Sequence, residues 1–253
     1  MKNLLLLAAL LLLGLRTQAD PTRERIVVAV SALAEWNTAK AALKPARIEN
    51  TPLGETFVQA MRLPDGRTVK LRWFHSGQGK TASAASAQYI ISTYRPTILL
   101  NAGTCGGFEG RTRPGDLIIG TKTLMYDVRD LMGDSTKYAQ QFETTYDWQR
   151  FKPLESDSLY FGVFVTADAD LDPRLMTWLE QCCQGRAAEW ESAALGWVCR
   201  RHGVKPYVVR GVSDVVHRQG GSATYGNYSE FEKGTDVAVR KLVARLPQIV
   251  ALL

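Results

Sequence analysis

The feature that most constrains this chain is a set of short apolar runs, rich in β-branched residues and almost unbroken by polar ones. They occupy residues 26–30, 69–74, 97–100, 117–120, 161–166 and 207–212. A strand with one wet face alternates apolar and polar residues, and these mostly do not. They therefore predict strands covered on both faces. Helical patterns fall between and after them, at 34–43, 81–94, 173–183, 191–202 and 228–246. Strand followed by helix, repeated along one chain, implies a three-layer α/β/α single domain. No internal repeat, low-complexity tract or linker divides it. Residues 131–158 are polar and aromatic without a clear period, and predict a long surface excursion.

The N-terminus reads differently. Lys2 precedes an apolar run from Leu4 to Leu15, and Thr17-Gln18-Ala19 places small residues at the −3 and −1 positions before Asp20. That is the layout of a cleaved secretory signal peptide over residues 1–19, too short for a membrane-spanning helix. The expected mature domain, residues 20–253, is then exported, periplasmic or secreted, with no membrane attachment after cleavage. Losing Lys2 and Arg16 leaves 29 of the 31 basic residues against 25 acidic ones. These are scattered, with no Lys/Arg run or interleaved aromatic stripe, so a nucleic-acid partner is not indicated. Cys105, Cys182, Cys183 and Cys199 form no CxxC pair and no His cluster joins them, so no metal is implied. In an oxidising compartment Cys182 or Cys183 could pair with Cys199, and the sequence leaves that open.

Polar and glycine-rich stretches sit where strands should end, the place where α/β sheets hold ligands. Ser76 to Thr81, with Gly77 and Gly79, resembles a phosphate loop but has Phe74 where the first glycine of GxxxxGK[ST] belongs. It reads as a tight turn feeding a helix. Asn101-Ala-Gly-Thr-Cys-Gly-Gly107 could let backbone approach a ligand closely or serve as a strand-end turn. Glu189-Trp-Glu-Ser-Ala-Ala194 opens a helix, and the apolar run through Val209 ends in Arg210, Ser213 and Asp214. Each charge taken singly is an ordinary cap or surface group. Taken together at the ends of apolar strands, they mark a ligand site. His75, His202 and His217 read as structural or surface residues. Tyr225 to Tyr228 read equally as a cap over a ligand and as a surface turn.

On Gly77-Gln-Gly-Lys80, Asn101 to Gly107 with Pro114-Gly-Asp116, Glu189 to Ala194 and Arg210-Gly-Val-Ser-Asp214, the chain resembles the nucleoside phosphorylase superfamily. Within it, the resemblance is greatest to the 5′-methylthioadenosine/S-adenosylhomocysteine nucleosidases. The resemblance implies a central mixed sheet, a small-molecule nucleoside substrate, no cofactor and a homodimer whose partner closes part of the pocket. It also implies roles. Asp214 would protonate N7 of the purine with Ser213 orienting it, and Glu191 would take the ribose hydroxyls. Glu35 would activate water held with Thr104 and Arg210. Cys105, Gly106, Trp190 and Leu171 would line the substrate site.

Water rather than phosphate is the expected second substrate. Hexameric phosphorylases carry an Arg where this chain has Asn101, and a glycine–arginine phosphate loop where it has Ala32-Leu-Ala-Glu35. A carboxylate there repels phosphate. Two departures bear on specificity. Trp190 stands for the usual Met, and Asp170-Leu171 falls where nucleosidases carry a ring that stacks on adenine. A phosphate-dependent phosphorylase and a catalytically silent nucleoside-binding protein are the competing readings.

Overall fold

The computed structural model describes residues 26–133 and 140–253. The predicted signal peptide and its cleavage site lie outside the described residues. The chain opens with β1 (Ile26–Val30), α1 (Leu33–Leu43), a hairpin of β2 (Glu49–Thr51) and β3 (Gly54–Arg62), then β4 (Thr68–His75). Next come α2 (Lys80–Tyr94), β5 (Ile98–Phe108), β6 (Leu117–Met125), β7 (Thr144–Thr145) and β8 (Leu159–Thr166). The last stretch holds α3 (Met176–Cys183), β9 (Gly185–Glu189), α4 (Ser192–Arg201), β10 (Lys205–Val216) and α5 (Tyr228–Val250).

The strands form one mixed sheet. β2, β3, β4, β1 and β5 follow one another, with the β1 pairs parallel and the hairpin antiparallel. Beyond β5 the sheet closes on itself, because β5 pairs with both β10 and β9, and β6 and β8 complete the ring. Alternate residues of a strand face opposite sides, and β1 shows the result. Val28 and Val30 pack with Trp36 of α1 and Val239 and Leu242 of α5, whereas Val27 and Ala29 pack with Ile90 of α2 and Leu195 of α4. Two apolar layers on one strand explain why its sequence shows no alternation. A third cluster, with Val163, Val165, Met176 and Leu179, fastens α3 to the ring.

Three expectations need correction. The strand expected to end at Leu100 runs on through the glycine block at 101–107 to Phe108, so the block is not a turn. Its glycines serve close packing. A Cβ at Gly103 would come within 2.7 Å of the Glu35 carboxylate, and one at Gly107 within 1.9 Å of Thr112 Oγ1. The run expected to end at Val212 likewise continues to Val216. Residues 131–158 are not all surface, since a 3₁₀ turn at Gln149–Leu154 buries Phe151 completely and Tyr146 is buried too. β9 and the β2–β3 hairpin went unpredicted. The β9 sequence, Gly-Arg-Ala-Ala-Glu, carries no β-branched or aromatic residue. The four cysteines are free thiols, so neither Cys182 nor Cys183 is bridged to Cys199.

Candidate active site

A cavity of about 450 Å³ lies where β5, β9 and β10 meet the starts of α1 and α4. All ten residues singled out from the sequence line it, although they come from five separate stretches of chain. Its inner end is organised by Arg210, which is 1 % exposed. Nη2 of Arg210 donates to Asn101 Oδ1 at 2.6 Å, Glu189 Oε2 at 2.7 Å and Glu191 Oε2 at 2.9 Å. Nη1 donates to the Thr104 carbonyl at 3.1 Å and lies 3.8 Å from Glu35 Oε1. A buried charge requires such partners, since its desolvation is otherwise uncompensated. Here one cation answers three buried carboxylates, and the surplus is negative.

Each carboxylate is held by backbone as well. Glu35 lies in the first turn of α1, where Oε2 accepts from the Ala32 amide at 3.1 Å, as a capping-box Glu does. Oε1 accepts from the Thr104 amide at 2.5 Å and Thr104 Oγ1 at 2.7 Å. A helix-capping Glu alone would have no need of β5, and this one bridges to it. Glu189 ends β9 and caps α4, accepting from the amides of Glu191 and Ser192 at 2.8 and 2.7 Å. A carboxylate at a helix N-terminus is favoured by the helix dipole. Thr166 Oγ1 binds its other oxygen.

Glu191 Oε1 accepts from the Gly79 amide at 3.0 Å. That contact gives the Gly77–Gly79 turn its purpose. Gly79 has φ 88°, where a side chain is strained, and a Cβ there would meet Asp168 at 3.0 Å. Burial pushes the Glu191 carboxyl up to about 7, Arg210 opposes the shift, and Glu189 and Glu35 add to it. Two carboxylate oxygens facing one guanidinium nitrogen account for that tension.

The outer end is built around Asp214, which is half-buried. In the β5–β10 ladder Val212 pairs with Cys105 and Asp214 with Gly106, so Ser213 is an extra residue. Such a bulge re-aims side chains, and it lets both Ser213 and Asp214 reach the cavity. Ser213 Oγ donates to Asp214 Oδ1 at 2.7 Å. Gly106 leaves room beside the carboxyl group, and the Cys105 thiol is buried against the Gly211 carbonyl at 3.7 Å. Burial raises the Cys105 thiol well above its usual range, which removes it as a nucleophile at neutral pH.

Trp190 lines the middle of the cavity, and Leu171 and Asp170 line the outer wall. Leu171 is buried, and its carbonyl accepts from the Tyr225 hydroxyl at 2.7 Å. Tyr225 and Tyr228 also line the cavity, which favours the ligand-cap reading over a plain surface turn. Burial, and then the charge of Asp214, push the Asp170 carboxyl above its ordinary range. His75 and His202 lie away from the cavity, and His217 pairs with Glu109 at 2.9 Å.

Two residues of the inner network had no role assigned from the sequence. Glu189 was one of two carboxylates spaced Glu-x-Glu before a helix, and that spacing was the available signal. Asn101 was read only as a missing Arg, whereas it accepts from Arg210 and donates to the Ala29 carbonyl at 3.2 Å.

Known proteins agree with this architecture. A protein of Maridesulfovibrio salexigens named 5′-methylthioadenosine/S-adenosylhomocysteine nucleosidase is 26 % identical over 194 residues, covering 72 % of this chain and 83 % of its own. One of the same name from a Geobacillus species is 25 % identical over 221 residues, covering 81 % and 89 %. The solved Streptococcus pneumoniae MTA/SAH nucleosidase in complex with 8-aminoadenine superposes with a TM-score of 0.74 at 18 % identity, covering 90 % of this chain and all of that one. The Neisseria meningitidis nucleosidase in complex with methylthio-immucillin-A gives 0.70 at 17 % identity, covering 91 % and 100 %. The sequence profile of the phosphorylase superfamily matches residues 26–251, and the chain belongs to that superfamily.

Proposed function

We propose that this protein hydrolyses the N-glycosidic bond of a purine nucleoside. The observation that carries the reading is the convergence of Glu35, Glu191 and Asp214 on one cavity whose inner cation is already matched by carboxylates. The names of the two curated relatives above, both nucleosidases, support it.

The geometry divides the work. Glu35 Oε2 has one backbone donor and keeps a free lone pair for a water proton. Thr104 and Arg210 engage the other oxygen, Oε1, and so orient the carboxylate that receives that proton. Glu191 has one bond on each oxygen, which leaves an acceptor site on each for the ribose hydroxyls. Its ionised form opposes the positive charge that develops on the sugar. Asp214 gives a proton to N7, so the base departs neutral rather than as an anion.

Phosphate fits poorly. A phosphorylase must hold an anion of nearly two charges with free donors. Here Arg210 is enclosed by Glu35, Glu189 and Glu191, and an Arg at position 101 would lie against Arg210 instead of accepting from it. Export to the periplasm or outside the cell is supported by the N-terminal residues alone. A homodimer is supported by the apolar Leu131 and Met132, almost fully exposed, and by Leu33, exposed at the cavity rim.

The test is base release from adenosine, inosine, guanosine, methylthioadenosine, S-adenosylhomocysteine and a pyrimidine nucleoside, with and without phosphate. Free base plus free sugar in phosphate-free buffer is expected. Release only with phosphate would mean a phosphorylase. Thermal stabilisation without release would mean a binding protein.

A further inference from the structure

Beyond Ser213, two more hydroxyls reach the carboxyl group of Asp214. Ser222 Oγ donates to Oδ2, and Thr224 Oγ1 lies 3.2 Å from the same oxygen. Thr224 Oγ1 is also 3.0 Å from Ser222 Oγ, and the Thr224 amide donates to that Oγ at 3.2 Å. Ser222 is buried. Both residues belong to the connection between β10 and α5, eight and ten positions beyond Asp214, and neither was singled out in the sequence.

The connection is shaped to deliver them. His217 and Gly221 exchange backbone hydrogen bonds of 2.9 and 3.2 Å, which closes a tight turn just before Ser222. Gly221 has φ 73°, and a Cβ on it would come 2.7 Å from the Tyr225 ring. Glycine is therefore required for the turn and for the ring that follows it. Tyr225 then reaches Leu171 on the opposite wall. A plain surface turn would make none of these inward bonds.

A carboxyl oxygen has two lone pairs. Ser222 occupies one on Oδ2 and Thr224 faces the other, whereas Oδ1 meets Ser213 alone among the described residues. We propose that Ser222 and Thr224 are positioning residues that engage Oδ2 of Asp214, so that the proton passed to the base sits on Oδ1. The inference rests on the nucleosidase reading above. In the step, the Oδ1–H bond breaks as N7–H forms and the C1′–N9 electron pair moves into the base. The water oxygen bonds to C1′ as water loses a proton to Glu35, and solvent exchange returns one proton to Asp214 and removes one from Glu35. The same bonds work in reverse: Asp214 tethers the connection that carries Tyr225 over the cavity.

The test compares leaving groups. A purine needs its proton, whereas p-nitrophenyl riboside releases a stable phenolate without one. Ser222→Ala with Thr224→Val should lower kcat for the purine nucleoside about 10- to 100-fold, part of what a placed acid supplies. KM, and the rate on p-nitrophenyl riboside, should stay within about threefold. Thr224→Ser keeps the hydroxyl and should keep the rate. Equal losses on both substrates would reduce the pair to a general structural role and overturn the proposal. Amide hydrogen exchange supplies an arm that needs no turnover. Exchange across 217–227 should accelerate in the Ser222/Thr224 variant and in Asp214→Ala, and combining them should add little. Additive effects, or none, would sink the proposal even in an active enzyme. Coupled exchange in a protein that releases no base would retain the tether and overturn both the nucleosidase reading and the proton assignment.

Discussion

The two ends of the cavity are built in opposite ways. At the inner end, Glu35, Glu191 and Arg210 are each 3 % exposed or less, and every one is anchored by strand or helix backbone. At the outer end, Asp170 is solvent-open, Tyr228 is 61 % exposed, and the walls are the connections after β8 and β10. The inner end gathers charge from α1, β9, the N-cap of α4 and β10 against β5, and removing a member strips a partner from buried charges. The outer end keeps one well-tethered acid among side chains that are free to differ. On the proposed roles, the water-and-sugar chemistry would be fixed by strand register and ion pairs, and base selection would be left to loops.

The sharpest test of that contrast is Arg210→Met, which removes the cation that three buried carboxylates share. It should lower stability by about 3–5 kcal/mol, a fall in Tm of roughly 10 °C, read by thermal unfolding at neutral pH. A change under 2 °C would mean the inner network does not hold the fold. Next in size, Glu35→Gln should reduce kcat by about 10²- to 10⁴-fold with KM little altered, measured by steady-state base release. Gly103→Ala comes third. Its methyl would press on Glu35 and Arg210 at 2.7–2.8 Å, at a cost of about 1–3 kcal/mol; an alanine variant as stable as wild type would show the network to be loose.

The pH dependence is a smaller effect with a definite sign. In the proposed mechanism Glu191 works ionised, and its carboxyl is pushed up to about 7, chiefly by burial. Activity should therefore rise as pH increases through about 7. Stability should run the other way. Its folded value exceeds the ordinary 4.5, so the folded state holds the proton longer and stability falls between pH 4.5 and 7. Glu191→Gln should flatten that slope in a Tm–pH series. The smallest effect belongs to the outer end. Asp170→Asn should change the adenosine-to-inosine rate ratio about tenfold, because the carboxylate only accepts whereas the amide also donates. Tm should not move, and a large fall would place Asp170 in the structural network instead.

How much of this was legible varies residue by residue. The unbroken run Ile26-Val-Val-Ala-Val30 announced a strand covered on both faces, since any wet face would show polar residues. The charges of Arg210 and Asp214 at the end of an apolar run marked a site, because an apolar strand does not bury charge without a use for it. β9 was invisible for the converse reason. Its Gly185 and Ala187 are small so that Phe108 and Phe164 fit beside them, a demand made by other strands. Ser222 and Thr224 looked like ordinary turn residues, since nothing local says which carboxylate a hydroxyl will meet.

By itself, then, the sequence determined the layers, the superfamily and the chemical types at the site, because burial period and residue chemistry are local properties. Tertiary structure decided that β5 passes straight through its glycine block, that three carboxylates share one guanidinium, and that Ser213 bulges to aim Asp214. Those are contacts between residues far apart in the chain, including the 69 positions that separate Glu35 from Thr104. Only the pairing of β1, β9 and β10 with β5 brings such residues within hydrogen-bonding distance.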